Sequence, residues 1–461
     1  QSLMVIESAL KLTCHGRRVT IDSLNDNGRS LISRLTEHFA AVMIESNSAS
    51  LLLEYPMPDL LLDEDQRLKA LSPFSALREL LAIIPNQQML AGTFAYDMIA
   101  TVEQLPQVEN GNNHCPDYVF YLSQTLLVLD HQTQQATLTT QVFDQSLVES
   151  VSQRHDQLST SIDQFTSFAL HSKPITKAVE VNISDQMFMD QVVQLKQQIV
   201  AGNIFQVVPS RAFSLPCPNP LSAYNQLKQT NPSPYMFYVK DSEFVLFGAS
   251  PESSLKYDQA TNLVEVYPIA GTRRRGFNPD GSINDDLDGR IELDLRLDKK
   301  ELAEHIMLVD LARNDVARIS QPGTRKVAEL LKVDRYSHVM HLVSRVTGQL
   351  RSDLDALHAY QACMNMGTLV GAPKIKAANL IREVEQQRRG SYGGAVGYLN
   401  SQGDMDSCII IRSAFVANDV AIIQAGAGVV FDSDPQAETD ETRSKAQAAI
   451  TAITLAGGLN E

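Results

Sequence analysis

The sequence predicts an α+β fold in which largely antiparallel strands and clusters of helices form separate layers. Apolar runs of strand length, such as residues 119–129 and 235–239, are separated by turn-like segments. Amphipathic helical periodicity is concentrated in groups, among them residues 299–312 and 438–453. Because the helices do not alternate regularly with the strands, we expect no succession of βαβ units.

Composition and charge narrow the class of protein. The 461 residues suffice for two or three domains of roughly 100–200 residues each. No apolar run reaches the ~18 residues that a membrane span requires. The net charge of −15 disfavours nonspecific binding to nucleic acid or anionic membranes, although a local positive pocket could still bind a small anion. We therefore expect no nucleic-acid partner and no membrane.

The cysteines indicate the compartment. They are odd in number, widely spaced and without a C-x-x-C pair, so neither a disulfide framework nor a zinc ribbon is expected. Their positions are Cys14, Cys115, Cys217, Cys363 and Cys408. A reducing cytoplasm is the predicted location, since no signal peptide follows Gln1.

A polar stretch at residues 144–177 marks the predicted domain boundary. We predict an N-terminal domain at residues 1–165, a linker at 166–183 and a second domain at 184–461. Gln1 is not a natural initiator, so we expect the N-terminal domain to be truncated at its start.

The sequence predicts three strands and one capped helix from hydrophobic patterns. Residues 10–20, 204–208 and 408–415 each predict one strand. Ser184 is expected to cap a helix that ends near Gly202, because its apolar residues recur at helical spacing. These residues are Phe188, Val192, Leu195 and Ile199.

Two pairs of glutamates carry the metal hypothesis. Glu301 and Glu304, like Glu438 and Glu441, are three residues apart, so each pair shares one face of a helix. Lys445 follows the second pair by one turn. Four hard oxygen donors suit Mg²⁺, which binds through one or two carboxylates and keeps several waters. A solvated helix face is the common alternative.

Two glycine segments could approach an anion. The run Gln424-Ala-Gly-Ala-Gly428 follows a strand-like segment, and its backbone N–H groups could bind a negative ligand. A bend or bulge in a sheet explains the pattern as well. Gly271 and Thr272 form a similar apolar-to-glycine turn, with a hydroxyl that could hold a carboxylate or a ring hydroxyl.

Three polar residues interrupt or follow apolar runs. Arg412 needs an anion if it is buried, either an internal acid or a substrate carboxylate held bidentately. His341 lies in an apolar strand, where a satisfied core histidine is the frequent explanation. Glu252 follows a proline turn, where partial burial could raise its pKa and make it a proton donor.

Eleven segments, in order, resemble the chorismate-utilising enzymes, and most closely the anthranilate synthase component I family. They cover residues 185 to 450, and the N-terminal part is matched more loosely. The segments include Ile204-Phe-Gln-Val-Val-Pro-Ser-Arg211, Asn231-Pro-Ser-Pro-Tyr-Met236, Gly248-Ala-Ser-Pro-Glu252, Pro268-Ile-Ala-Gly-Thr-Arg273, Gly371-Ala-Pro-Lys374, Gly390-Ser-Tyr392-Gly-Gly and Asp440-Glu-Thr-Arg-Ser-Lys445.

The resemblance implies a two-domain fold of antiparallel sheets packed as a sandwich with flanking helices, and a lyase that makes anthranilate for tryptophan biosynthesis. It implies Mg²⁺ as cofactor, with Glu304 and Glu441 as ligands and Glu301 and Glu438 holding metal-bound waters. The implied catalytic residues are Glu252 as general acid and His341 beside the ring, with Gln206 and Thr272. The implied substrate contacts are Gly271, Thr272, Tyr392, Arg412, Gly426, Ala427, Gly428 and Lys445.

Two positions bear on the nucleophile. Relatives that add water carry a lysine base where this chain has Gln206, and relatives that make aminodeoxychorismate carry a nucleophilic lysine where it has Ala270. Ammonia needs neither lysine, so the resemblance implies chorismate and ammonia as substrates. Without a Gly-x-Cys-x-Gly elbow in this chain, glutamine-derived ammonia implies a separate amidotransferase subunit as partner.

Two departures from the family pattern modify these expectations. Val370 stands where the family usually has Ser or Thr before Gly-Ala-Pro-Lys. Tryptophan, the family's feedback inhibitor, would contact Pro234, Tyr235 and Met236 together with a Leu-Leu-Glu-Ser motif that we expect to precede Gln1. We therefore predict weak tryptophan binding, which calorimetry would contradict by showing micromolar affinity.

Three rival functions stay open at this point. An isochorismate or salicylate synthase would give isochorismate from chorismate and Mg²⁺, and an aminodeoxychorismate synthase without the lysine would release aminodeoxychorismate. A catalytically silent metal-binding or scaffold protein would bind Mg²⁺ without turnover.

Overall fold

The computed structural model describes residues 1–59, 61–84, 88–165, 178–336 and 339–457. Its strands are β1 (Ser2–His15), β2 (Arg18–Ser23), β3 (Met43–Ser46), β4 (Ser50–Glu54), β5 (Met89–Phe94), β6 (Tyr118–Asp130), β7 (Gln135–Thr140), β8 (Glu180–Val181), β9 (Gln206–Val207), β10 (Ser210–Pro216), β11 (Tyr235–Lys240), β12 (Val245–Ser250), β13 (Ser253–Asp258), β14 (Leu263–Val266), β15 (Ile269–Arg274), β16 (Lys326–Arg335), β17 (Val339–Gln349), β18 (Gly371–Ala372), β19 (Ala395–Asn400), β20 (Met405–Ile409), β21 (Ser413–Ala417) and β22 (Val420–Gly426).

The α-helices of the described residues are grouped between the strands. They are α1 (Asp26–His38), α2 (Glu64–Lys69), α3 (Phe74–Ile83), α4 (Val148–Asp163), α5 (Asp185–Val200), α6 (Pro220–Thr230), α7 (Asp285–Leu297), α8 (Lys299–Ile319), α9 (Ala356–Cys363), α10 (Gly367–Val370), α11 (Lys374–Glu385) and α12 (Pro435–Ala456), and short 3₁₀ helices span Tyr96–Thr101 and Gln145–Leu147. Within these residues, none of the helices is long and apolar enough to cross a membrane.

Two antiparallel sheets dominate the structure. Within the described ranges the larger has 14 strands along the path β15-β17-β14-β13-β20-β19-β5-β6-β1-β2-β4-β3, with β16 beside β17 and β7 beside β6. The smaller has the order β11-β12-β21-β22-β10-β8, and β18 and β9 form a separate two-stranded sheet. The predicted α+β class with antiparallel sheets is confirmed.

The sheets pack against each other through an apolar layer. Val119 and Val396 of the large sheet lie in one buried cluster with Leu246 and Phe415 of the small sheet. The other face of the small sheet is covered by α6 and α12, whose small residues such as Ala449 are buried there. Because α12 is anchored on this sheet, its first turns are fixed beside the end of β22.

The large sheet crosses the predicted domain boundary without interruption. Strand β5 of the N-terminal part pairs with β19 of the C-terminal part, with Phe94 opposite Ala395. The division into 1–165 and 184–461 stays a proposal about the folding units. Most of the predicted linker, residues 166–177, lies outside the described residues, and its last part contributes β8 to the small sheet.

Several strand predictions are corrected by the structure. Residues 10–20 span the hairpin of β1 and β2, because Gly16 with φ +60° turns the chain between them. Residues 204–208 contain only the two-residue strand β9. The run 408–415 is not one strand, since the chain leaves β20 in the large sheet and enters β21 in the small one. Ser184 caps α5 as predicted.

Candidate active site

The site lies where the chain passes twice between the two sheets. β12 leads through Glu252 into β13, and β20 leads through Arg412 into β21. The Ile409 N–H donates to the Glu252 carbonyl over 3.0 Å, and the Ala249 N–H donates to the Arg412 carbonyl over 3.2 Å. The two crossings are therefore neighbours, and each carries one ionisable residue.

The Glu252 carboxyl is buried, with 6% of the residue exposed. Burial raises its pKa to about 8, against the opposing effects of the Thr368 hydrogen bond and of the charges on Lys445 and Arg412. The Thr368 hydroxyl donates to Oε1 over 2.9 Å. Glu252 is therefore largely protonated at neutral pH, the state that a general acid requires.

Arg412 sits at the second crossing with φ +51°, a left-handed backbone conformation that turns the chain from one sheet to the other. Burial lowers the pKa of its guanidinium, while the charges of Tyr392, Glu441 and Glu252 raise it. Among the described residues, no acceptor is hydrogen-bonded to its side chain. A desolvated guanidinium of this kind is suited to a bidentate carboxylate.

Tyr392 and the glycine segment form the wall beside Arg412. The phenol of Tyr392 is buried, and burial raises its pKa to about 12, so it stays a hydrogen-bond donor. A Cβ on Gly426 would lie 2.9 Å from that hydroxyl, so only glycine permits this approach. Lys445 Nζ donates to the Gly426 carbonyl over 3.0 Å. Ala427 is fully buried between these contacts.

Thr272 and His341 face each other on neighbouring strands. They are register partners of β15 and β17, and Thr272 Oγ1 lies 2.8 Å from His341 Nδ1. Burial, followed by the charge of Arg412, lowers the pKa of His341 to about 4, so the imidazole is neutral at physiological pH. Gly271, with φ +82°, forms a bulge inside β15, where a turn was predicted.

The four glutamates come from two helices. Asp298 caps α8 and, with Glu301, binds the Arg273 guanidinium at 2.7 and 2.8 Å. Burial raises the pKa of Glu304, and the charges of Glu301 and Glu441 raise it further. Glu304 and Glu441 are therefore close enough to interact electrostatically.

The second helix, α12, contributes the other pair. Its first turn contains Glu438, whose pKa is raised chiefly by burial. One turn on, Glu441 pairs with Lys445 at 2.5 Å. Both glutamate sets lie on helices, as predicted. Glu438 is buried and Glu441 is exposed, and the charge of Glu441 acts on Glu304 of the other set.

Gln206 connects the glutamates with the glycine segment. Its Nε2 donates to Glu304 Oε1 over 2.8 Å, and a Cβ on Gly428 would lie 2.8 Å from the same nitrogen and 3.3 Å from that oxygen. Gln206 Oε1 is buried without a hydrogen-bond partner among the described residues. This amide therefore offers an unsatisfied acceptor inside the site.

These residues fit Mg²⁺ by their chemistry. Burial, followed by the charges of Glu301 and Glu441, raises the pKa of Glu304, and a divalent cation would offset these effects. No three His, Cys, Asp or Glu side chains of the described chain form a ready-made metal cluster. Mg²⁺ does not require such a cluster, because it uses one or two protein carboxylates and completes its shell with water and substrate oxygens.

One predicted group lies apart from this cluster. Pro234 is exposed, and Tyr235 and Met236 begin β11 at the edge of the small sheet, where the Tyr235 hydroxyl donates to Asp406 over 3.1 Å. No hydrogen bond or ion pair joins these three residues to the glutamates or to Arg412 in the structure as described. Val370, where the family has a hydroxyl, is fully buried.

Sequence reasoning missed Thr368. It lies on α10, two residues before Val370, and its hydroxyl does contact the general-acid candidate. Nothing in the local pattern distinguishes it, because its partner Glu252 is 116 residues away in the chain. The proximity of the Gly-Ala-Pro-Lys segment was the only sequence signal that could have drawn attention to it.

This fold and site define an enzyme of the chorismate-utilising class. A sequence profile described as chorismate binding enzyme matches residues 22–451, and the chain belongs to this family. It is 57% identical to anthranilate synthase component 1 of Vibrio cholerae over 99% of this chain and 89% of that protein. Identity to anthranilate synthase component 1 of Salmonella typhimurium is 56%, with the same coverage.

A solved structure agrees with these relatives. The crystal structure of anthranilate synthase component I from Streptococcus pneumoniae superposes with a TM-score of 0.76 at 28% identity, covering 97% of this chain and 91% of that chain. The family resemblance read from the sequence is confirmed.

Proposed function

We propose that this chain converts chorismate and ammonia into anthranilate, pyruvate and water. One observation carries the proposal: the protonated, buried Glu252 lies beside Arg412, in a site that also contains a pair of helix-borne carboxylate sets. A proton donor, a carboxylate-binding cation and a divalent-metal position are the three features that this substrate dianion requires.

The substrate carboxylates are assigned by charge. Arg412 and the Tyr392 hydroxyl are suited to the enolpyruvyl carboxylate, since Tyr392 is buried, Arg412 is partly buried, and no acid among the described residues is hydrogen-bonded to the guanidinium. The backbone of Gly426, Ala427 and Gly428 lines the same wall, and Lys445 adds positive charge. Gly271 and Thr272 are assigned to the ring, next to His341.

Glu252 supports the first chemical step. Ammonia attacks ring carbon C2, the double bonds shift, and the C4–O bond breaks as the 4-hydroxyl leaves. Glu252 donates the proton that turns this leaving group into water, and the ammonium group formed at C2 loses one proton to become the amine. In the second step, the C2 proton is removed and the C3–O bond breaks, so that the ring becomes aromatic. The departing enolpyruvate takes up one proton at its methylene carbon and becomes pyruvate. His341, neutral and beside the ring, is assigned to this region.

The nucleophile is assigned from two side chains. Gln206 cannot act as a base towards water, but its buried Oε1 can accept an N–H of ammonia. Ala270 carries only a methyl group, so no amine of the chain can attack the ring from that position. Ammonia is therefore the nucleophile that this site favours.

Mg²⁺ is proposed as the cofactor. Glu304 and Glu441 would hold it, with Glu301 and Glu438 bound to its water ligands. When bound, it supplies positive charge at the ring carboxylate and lowers the energy of the developing anion.

The partner subunit, the cellular compartment and the feedback inhibitor are also part of the proposal. We propose a glutamine amidotransferase subunit as the ammonia source, because the relatives are called component 1 of their enzyme. A reducing cytoplasm agrees with five free, buried cysteines. Weak binding of tryptophan, by way of Pro234, Tyr235 and Met236, stays a prediction.

The experiment is a fluorescence assay for anthranilate with chorismate, ammonium and Mg²⁺, repeated with EDTA. Metal-dependent anthranilate formation is expected from the wild type. Loss of metal dependence, or isochorismate or aminodeoxychorismate as the product, would assign a different reaction to this site.

A further inference from the structure

The buried guanidinium of Arg389 lies directly behind the proposed active-site wall. Only 1% of the residue is exposed. Its Nε and Nη2 donate to the Glu385 carboxylate at 2.9 and 2.5 Å, an ion pair with both side chains buried. None of the roles assigned above uses this pair.

Arg389 binds two backbone segments that carry site residues. Its Nη2 donates to the Val208 carbonyl over 2.6 Å, and its Nη1 donates to the Leu369 carbonyl over 2.9 Å. Val208 follows Gln206 by two residues, and Leu369 directly follows Thr368. One guanidinium therefore holds the nucleophile side of the site against the segment that hydrogen-bonds to Glu252.

The same guanidinium packs against two aromatic rings. Its Cζ lies 4.7 Å from the centre of the Tyr96 ring and 5.7 Å from that of Tyr392. Both distances are within the range of cation–π attraction, which is stronger when the groups are desolvated. The ring of the proposed carboxylate ligand Tyr392 is therefore fixed in part by Arg389.

Glu385 extends the connection to the glycine segment. Its Oε1 accepts hydrogen bonds from the Ser210 N–H and hydroxyl, each at 2.8 Å. The Ser210 hydroxyl in turn accepts from Gln424 Nε2 over 2.8 Å. Gln424 lies two residues before Gly426, so the network reaches the last part of the wall.

We infer that Arg389, held by Glu385, is a positioning residue that sets the relative placement of Gln206, Thr368 and Tyr392 for catalysis. The inference rests on the proposed function. Arginine is required because only its planar fork can bind a carboxylate and two carbonyls in different directions at once. Lysine keeps the charge but has one nitrogen in place of three.

The test compares Arg389→Lys with Arg382→Lys. Arg382 is a matched control, since it is also buried and ion-paired, to Asp97 at 2.6 Å, but contacts none of the residues assigned to the site. For Arg389→Lys we expect a KM for chorismate about tenfold higher, the value of roughly one lost charge-assisted hydrogen bond. Arg382→Lys is expected to lower Tm only.

A pH profile separates positioning from mere stability. Glu252 is faced by Thr368, Lys445 and Arg412, and the Thr368 hydrogen bond lowers its pKa. If Arg389 positions Thr368, then Arg389→Lys should move the alkaline limb of kcat/KM to higher pH, as Thr368→Val does. The double variant should show less than the sum of the two shifts.

Each outcome decides the inference. A positioning role is supported by a higher KM for chorismate, an alkaline limb of kcat/KM at higher pH, and a double variant whose shift is smaller than the sum of the two. The inference is wrong if Arg389→Lys, like the control, only lowers Tm. It is also wrong if the pH shift of Arg389→Lys adds fully to that of Thr368→Val. If Arg389→Lys does not fold, Glu385→Gln is measured against the same criteria. A wild type that makes no anthranilate contradicts the proposed function instead, before any variant is compared.

Discussion

Oγ1 of Thr272 lies 2.8 Å from Nδ1 of His341, across the pairing of β15 with β17. This contact orients an imidazole that is neutral because burial lowers its pKa to about 4. His341 can therefore accept or relay a proton beside the ring, but it does not bring a permanent positive charge.

Thr272→Val tests this contact, because it removes the hydroxyl while keeping the shape of the side chain. We expect kcat to fall about five- to tenfold, the effect of one lost hydrogen bond of ~1 kcal/mol. Thr272→Ser should retain most of the activity. Steady-state rates of anthranilate formation provide the measurement, and an unimpaired valine variant would show that the contact has no catalytic role.

The raised pKa of Glu252 leads us to expect that kcat/KM depends on pH. Its folded-state pKa of about 8 lies above the ordinary value of 4.5, so the acid form persists at neutral pH and is lost as pH rises through 8. At constant free-ammonia concentration, kcat/KM should therefore fall by about tenfold per pH unit above 8. A rate that stays constant to pH 9.5 under these conditions would exclude Glu252 as the proton donor.

Glu252→Gln should lower kcat by roughly 100- to 10,000-fold, because the amide cannot donate a proton of comparable acidity. Glu265→Gln is the control, since Glu265 is equally buried but binds Tyr267 and Arg345. Rates of both variants at pH 7 give the comparison. Equal losses in the two variants would point to a general effect on the fold.

Glu304→Gln addresses the metal assignment. We expect Mg²⁺ binding in calorimetry to weaken and activity to fall by roughly a hundredfold, because one of two direct ligands loses its charge. Glu383→Gln, on the exposed face of α11, should change neither quantity. Full activity in Glu304→Gln would remove Glu304 from the metal site.

Gln206→Met tests the binding of ammonia. The variant keeps the length of the side chain but loses the Oε1 acceptor and the bond to Glu304. The KM for ammonium should rise about tenfold, with a smaller change in the KM for chorismate. Equal increases in both KM values would mean that Gln206 supports the site without contacting the nucleophile.

Local patterns predicted the helices of the site well. The spacing of Glu301 with Glu304, and of Glu438 with Glu441, requires only helical geometry, and both pairs lie on helices. The resemblance to a family then supplied the roles that spacing alone left open.

Long-range geometry could not be predicted from these patterns. The passage of the chain between sheets at Arg412 depends on which strands pair, and Arg412 within the run 408–415 does not by itself show that the chain changes sheets there. The bond between Gln206 and Glu304 joins residues 98 positions apart, and the hydrogen bonds of Arg389 join three separate segments of the chain.

The identity of the product tests the central claim most directly. The purified chain, given chorismate, Mg²⁺ and ammonium, should form anthranilate with equimolar pyruvate, and EDTA should stop the reaction. Isochorismate, or aminodeoxychorismate without pyruvate, as the main product under these conditions would contradict the assignment of ammonia and of the second, aromatising step.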